Sequence, residues 1–286
     1  MCHRQAGQHE SSNWPPDFVN MQFYTDSFYY HVTLHQSKSS LPYLLMLHGF
    51  MGNSHVFDSL MDELKSFCNP ITIDLAGHGQ TQSPTDPDFY TADRQVHQVT
   101  SIIRRLNFEN LYLYGYSMGG RLAFQILASH SKLFSGAFIE SSHCGIQSDE
   151  ERLSRQILDE KRAQQIESGF ENFIEDWINL PLFQHTPENL KAVYENIMKQ
   201  QNPEQLAASL RGFGAGMMPE ICDQISNLNL PLTLIAGELD HKYVTIMTKL
   251  SSQFKSADLH IAEKAGHRVH TDQPKKLIQI LKNTIT

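Results

Sequence analysis

Gly115-Tyr116-Ser117-Met118-Gly119-Gly120-Arg121 lies between two segments of opposite character. Leu111-Tyr112-Leu113-Tyr114 before it is apolar and aromatic, the composition of a buried strand. Leu122-Ala123-Phe124-Gln125-Ile126-Leu127-Ala128 after it favours helix and contains no Gly or Pro. A Gly-x-Ser-x-Gly turn from strand to helix is the setting of a nucleophile elbow. Gly115 and Gly119 let strand and helix close on each other without Cβ clashes. The turn is expected to be sharp and strained, to hold Ser117 above the sheet edge, and to aim the Met118 N–H at whatever Ser117 attacks.

A serine hydroxyl is a weak nucleophile or base until a positioned histidine takes its proton. Behind an elbow of this kind the acid and then the histidine follow, each at the end of a strand. Pro231-Leu232-Thr233-Leu234-Ile235-Ala236 reads as a strand and runs into Gly237-Glu238-Leu239-Asp240. Asp240, further round the loop, is the expected acid, with Glu238 as the alternative. Ala265-Gly266-His267 follows a short strand over 258–261 and precedes the last helix over 274–281, where the base belongs. The chain holds 15 histidines, so position rather than presence selects His267. His260 lies inside the strand, and His270 is already moving toward the helix. His267-x-x-His270 with Asp272 is a metal-ligand alternative, but its spacing matches no metal-site framework. The expectation is therefore no metal and no cofactor.

Negative charge developing on a carbonyl-like oxygen needs preorganised donors. Met118 N–H is one. The strand Tyr43-Leu44-Leu45-Met46-Leu47 runs into His48-Gly49-Phe50, which offers Phe50 N–H as the second, with His48 shaping the loop. Arg121, four residues after Ser117, shares its helix face. A guanidinium there is costly to desolvate unless an anion meets it.

Strands over 28–34, 43–47, 71–75, 111–114 and 137–140 alternate with helices over 54–67 and 91–106 and the elbow helix. Such alternation implies a mostly parallel sheet with helices on both faces. From 141 to 229 the sequence turns charged and helical, with helices over 150–166, 170–178, 187–200 and 203–210. The expected organisation is an α/β core over 23–140 and 230–286, a helical cap over 141–229, and a loosely ordered tail over 1–22.

The 286 residues are 40% hydrophobic and 19% charged, enough to bury a sizeable core. The formal net charge of −8 has the wrong sign for a general nucleic-acid or anionic-membrane binder, so an anionic ligand must be held by local cations. No apolar run approaches the ~20 residues of a membrane span, and the N-terminus has no signal-peptide apolar region. Cys2, Cys68, Cys144 and Cys222 are widely spaced and suit a reducing cytosol better than a disulfide framework. A cytoplasmic protein is expected, acting as a monomer or homodimer on a small polyanionic substrate.

Over residues 23–283 the chain resembles the α/β-hydrolase superfamily, and within it the 2-succinyl-6-hydroxy-2,4-cyclohexadiene-1-carboxylate synthase (MenH) family of menaquinone biosynthesis. The elbow carries the resemblance, together with Leu47-His48-Gly49-Phe50, Asp74-Leu75-Ala76-Gly77-His78-Gly79, Glu140-Ser141-Ser142 with Gly145, Asp176-Trp177, Gly237-Glu238-Leu239-Asp240-His241-Lys242-Tyr243, and Ala265-Gly266-His267 with His270. The family implies a lyase on a hydrolase scaffold, which takes a proton from a cyclohexene bearing succinyl, carboxylate and enolpyruvyl groups and expels pyruvate. It implies a triad of Ser117, Asp240 and His267, with substrate contacts from Tyr116, Arg121, Arg155 and Trp177. Cys144 stands where the family commonly has Pro. Lys199 is the sole basic residue near Ile197-Met198, where some members carry another cap Arg. Two other readings stand beside it: a true hydrolase of an ester or carbon–carbon bond, which leaves Arg121 and Arg155 without a role, and a non-catalytic ligand receptor on the same fold, which leaves the triad without one.

Overall fold

Alternate residues of a strand face opposite sides of a sheet, so a strand apolar at every position must be covered on both. Strand β3 (Tyr43–Leu47) is such a case: Leu44 and Met46 pack into one core cluster, Leu45 and Leu47 into the other. The computed structural model describes residues 17–286. Its eight strands are β1 (Asp17–Thr25), β2 (Phe28–Gln36), β3, β4 (Asn69–Ile73), β5 (Leu111–Tyr116), β6 (Gly136–Glu140), β7 (Leu232–Gly237) and β8 (Ala257–Ala262). They form one sheet in the order β1-β2-β4-β3-β5-β6-β7-β8. β1 and β2 join antiparallel, and every pair from β4 through β8 is parallel.

From β3 the chain crosses first to β4 on one side and then to β5 on the other. The ends of β3 and β5 therefore flank a crevice at the switch point, where open α/β sheets bind ligands. His48-Gly49-Phe50 leaves one strand and Ser117 the other.

Helices α1 (Met61–Leu64), α2 (Ala92–Leu106), α3 (Met118–His130) and, late in the chain, those after β7 accompany the sheet. Between β6 and β7 lie α4 (Asp149–Ser168), α5 (Phe170–Ile178), α6 (Glu188–Lys199), α7 (Pro203–Phe213) and α8 (Cys222–Ser226), and no strand occurs among residues 141–229. The last three helices are α9 (His241–Gln253), α10 (Val269–Asp272) and α11 (Pro274–Ile285). Ser148 caps α4 by accepting from Glu151 N–H, and three acids in its first turn complement the helix dipole.

Several elements differ from the sequence reading. β1 begins at Asp17, inside the segment expected to be a loose tail; it adds an edge strand to β2, and residues 1–16 lie outside the described part. The single helix expected over 54–67 is instead a 3₁₀ segment, Ser54–Leu60, followed by the one-turn α1. Its buried Ser54, Phe57 and Leu60 recur every three residues, the 3₁₀ repeat. Helix α9 was not anticipated; its N-cap is Asp240, whose carboxylate accepts from Tyr243 N–H.

The cysteines require a further correction. Cys144 and Cys222 form a disulfide, while Cys68 is free and buried. The bond ties the loop leaving β6 to the start of α8, beside a backbone hydrogen bond from Ile221 N–H to Cys144 O at 3.0 Å. It closes a loop of 78 residues that contains the helical segment. Spacing along the chain could not show this, because the two residues meet only where that segment returns to the sheet. A cross-link of this span should contribute about 2–4 kcal/mol. Reduction, or Cys222→Ser, is expected to lower Tm accordingly, and an identical melting curve with and without reductant would refute it.

Candidate active site

Ser117 sits at φ 52° and ψ −108°, the strained conformation anticipated for the elbow. Glycine is required on either side. A Cβ on Gly119 would lie 2.2 Å from Leu47 O, and one on Gly115 2.6 Å from Gly119 O. The close approach of α3 to β3 and β5 therefore depends on those two residues.

Ser117 Oγ lies 3.1 Å from His267 Nε2, and His267 Nδ1 lies 2.7 Å from Asp240 Oδ2. His267 and Asp240 are both buried. Glu238 instead accepts from Lys264 N–H at 3.0 Å, so Asp240 is the acid that meets the imidazole. Burial pushes the His267 imidazole below its ordinary value, although the Asp240 carboxylate pulls it up. The ring is thereby kept neutral and able to accept a proton. Ser142 Oγ donates to Ser117 O at 2.7 Å and braces the elbow from the β6 loop.

The other histidines have structural engagements. His48 accepts from Leu75 N–H through Nε2 and contacts Gly49 O through Nδ1, which shapes the loop carrying Phe50. His270 meets Glu140 Oε1 through Nδ1 at 2.7 Å and the Tyr194 hydroxyl through Nε2 at 2.9 Å. Both its ring nitrogens are thus engaged away from His267, and Asp272 accepts from Gly266 N–H instead. The His267–His270–Asp272 set is not assembled around a common point. Among the described residues the metal-compatible group is Cys144, Glu220 and Cys222, and its two sulfurs are bonded to each other.

Ser117 and His267 open into a cavity of about 260 Å³ that Phe50, Met118 and Tyr116 also line. Arg121, Arg155 and Trp177 line it as well. Arg121 donates to Phe213 O at 2.9 Å and is buried, which holds its guanidinium down to about 10, with neighbouring Arg155 adding to the effect. Arg155 grips both oxygens of the buried Asp159, at 2.8 and 2.9 Å. The Trp177 ring stacks on Phe173 and meets Phe50 edge-on, and among the described residues its buried Nε1 has no hydrogen-bond partner.

Lys199 is not at the cavity. It is exposed at the end of α6 and paired with Glu195 at 2.6 Å. That helix turns Tyr194 and Met198, four residues apart, toward the cavity, which leaves Lys199 on the outer face. In its place stand three cations that the sequence reading missed: Arg162, Lys242 and Arg268. Arg162 lies 3.6 Å from Asp159 and 5.1 Å over the Trp177 ring. Lys242 comes two residues after Asp240, and Arg268 directly follows His267, so nearness to catalytic motifs was the available signal for these two. Among the described residues neither Arg121 nor Lys242 forms an ion pair, and Arg155 and Arg162 share Asp159. A second, larger cavity shares His143, Arg155, Leu158 and Lys242 with the first, so the cationic wall extends outward.

The alpha/beta hydrolase fold family model matches residues 42–274. A Bacillus subtilis protein provisionally named 2-succinyl-6-hydroxy-2,4-cyclohexadiene-1-carboxylate synthase is 33% identical over 247 residues, 85% of this chain and 90% of that protein. The Escherichia fergusonii protein of that name is 27% identical over 88% of this chain and 96% of its own length. The solved structure of MenH from S. aureus superposes with a TM-score of 0.84 at 28% identity, covering 88% of this chain and 97% of that one. An esterase from Exiguobacterium antarcticum, at 17% identity and a TM-score of 0.78, shares the fold.

Proposed function

The chain belongs to the 2-succinyl-6-hydroxy-2,4-cyclohexadiene-1-carboxylate synthase (MenH) family of α/β hydrolases, and on that premise we propose that it eliminates pyruvate from 2-succinyl-5-enolpyruvyl-6-hydroxy-3-cyclohexene-1-carboxylate in menaquinone biosynthesis. The observation that carries this reading is a hydrolase-type Ser117–His267–Asp240 chain opening into a cavity walled by cations. An esterase acting on neutral substrates has no use for Arg121 and Lys242 unpaired against its serine.

In this mechanism neutral His267 takes the Ser117 proton, and Ser117 Oγ takes the ring proton next to the succinyl ketone. Asp240 holds the imidazole and stabilises its charged form. The electron pair moves onto the ketone oxygen, where the Phe50 and Met118 N–H groups meet the developing charge. Its return forms the second ring double bond as the carbon–oxygen bond to the enolpyruvyl group breaks. The departing group takes a proton and becomes pyruvate. Tyr116 and Trp177 shape the cavity walls, and Arg121 and Arg155 hold substrate carboxylates.

The same reading puts the reaction in the cytoplasm, with a small polyanionic substrate; it does so on the reaction alone, since the Cys144–Cys222 bond removes the cysteine argument for a reducing compartment. Among the described residues no helix is long and apolar enough to cross a membrane. The test is pyruvate release from the cyclohexene, followed by coupled NADH oxidation, beside a panel of neutral aryl esters. Rapid ester turnover without pyruvate would transfer the assignment to a hydrolase.

A further inference from the structure

Arg268 is the N-cap residue of α10 and only 3% exposed. Its guanidinium carbon lies 3.8 Å from the centre of the Phe183 ring and 3.7 Å from that of Tyr194, so the group is clamped between two aromatic rings. The guanidinium hydrogen-bonds the Tyr116 hydroxyl, but among the described residues its Nε and Nη1 have no hydrogen-bond partner. Nor does any carboxylate among the described residues form an ion pair with it. Of the nearby acids, Glu140 is taken up by His270 and Tyr114, while Asp272 accepts from Gly266 N–H through Oδ2 and acts on Arg268 from a distance without forming an ion pair with it. Stacking on rings offsets part of the desolvation of a buried guanidinium, but it leaves the Nε and Nη1 donors unmet.

Two features show what would meet them. Arg268 lines the cavity into which Ser117 and His267 open. It also stands apart from the other cations there. Arg121, Arg162 and Lys242 each feel Arg155, whereas Arg268 acts on Tyr116, Tyr194, His267 and Asp272. A ligand with a single anionic group needs one such site. A ligand with carboxylates on different arms, held across the reacting carbon, needs two.

We infer that Arg268 is a second carboxylate-binding site of the cavity, separate from the Arg121–Arg155 group and preorganised by the Phe183–Tyr194 clamp. The inference rests on the polyanionic substrate proposed above. The carboxylate has two sources, the enolpyruvyl group that leaves and the groups that remain on the ring. A planar guanidinium fixed between rings holds its free donors in set directions, which suits a charge-assisted hydrogen bond to either.

The test uses the whole enzyme with Arg268→Gln and Arg268→Lys. Three quantities are read: KM and kcat for pyruvate release, inhibition by pyruvate, and the calorimetric Kd of 2-succinylbenzoate, an aromatic dicarboxylate shaped like the ring product. The expected result for Arg268→Gln is a KM raised about ten- to a hundredfold with a much smaller change in kcat. Arg268→Lys should recover only part, because an ammonium cannot stack between the Phe183 and Tyr194 rings as a planar guanidinium does. A matching loss in pyruvate inhibition alone assigns the site to the leaving carboxylate, and a loss in 2-succinylbenzoate affinity alone assigns it to the ring-borne groups. If KM, inhibition and Kd all stay within about twofold of wild type in both variants while Tm falls, Arg268 is structural and the inference is overturned. Failure of the wild-type enzyme to release pyruvate would instead overturn the proposed reaction. The 2-succinylbenzoate measurement would still decide whether Arg268 binds a carboxylate.

Discussion

Ser117→Ala, His267→Ala and Asp240→Asn are each expected to lower kcat for pyruvate release by roughly 10²–10⁴-fold, the range in which a positioned acid–base group contributes. The three side chains form one relay, joined at 3.1 and 2.7 Å, so the losses should overlap rather than multiply. A double variant is expected to be little worse than the poorer single one. The losses should also fall short of those in a hydrolase, because Ser117 carries a proton here and forms no acyl-enzyme, while the oxyanion donors and cations remain in place. Rapid quench followed by intact-protein mass spectrometry should find no adduct on Ser117 from the native substrate; a covalent species there would move the enzyme to the hydrolase class. The pH dependence follows from burial. The relay needs neutral His267, whose proton affinity is lowered by desolvation, so the acid limb of kcat/KM should lie below the ordinary imidazole value of 6.5. Activity is lost as pH falls through that limb, when the imidazole gains its proton. An acid limb above 6.5 would contradict the assignment, as would a near-wild-type His267→Ala beside a dead His270→Ala.

The second large effect concerns Arg121 and Arg155. Their substitution by Ala should each depress kcat/KM for the cyclohexene about ten- to a hundredfold, the range for one hydrogen bond to a charged group. Phe50 and Met118 N–H groups can stabilise a developing oxyanion, but they are neutral and cannot balance carboxylates entering a protein of net charge −8. Arg121 forms no ion pair among the described residues and is braced by Phe213 O, so its position does not await the substrate. Arg155 donates through Nε to both oxygens of Asp159 and must share its charge with that carboxylate. The larger loss is therefore expected for Arg121. Arg121→Lys should not restore it, since one ammonium lacks the two-point geometry. Steady-state kinetics on the cyclohexene and on a neutral aryl ester would separate loss of anion binding from general damage. Equal losses on both substrates would indicate damage.

Determined by sequence alone were the features whose physics is local. The elbow is legible because two glycines must flank a residue of positive φ at a strand–helix junction, and that need is written within seven residues. Parallel strands buried on both faces are legible as apolar runs, which is why β3, β5, β6 and β7 were found. Chain order around the elbow then led to Asp240 and His267. β1 escaped notice because an edge strand buries little and leaves a weak apolar pattern, with Phe18 and Tyr24 more than half exposed. Lys199 and Lys242 are both lysines beside family motifs. Only the direction in which α6 turns its face, and the entry of α9 behind Asp240, put one outside and the other in the cavity. Arg162 and Arg268 join the site, and Cys144 meets Cys222, through contacts between segments far apart in the chain. Such contacts depend on where the helical segment between β6 and β7 settles on the sheet, and that is a property of packing across the whole molecule rather than of any window of sequence.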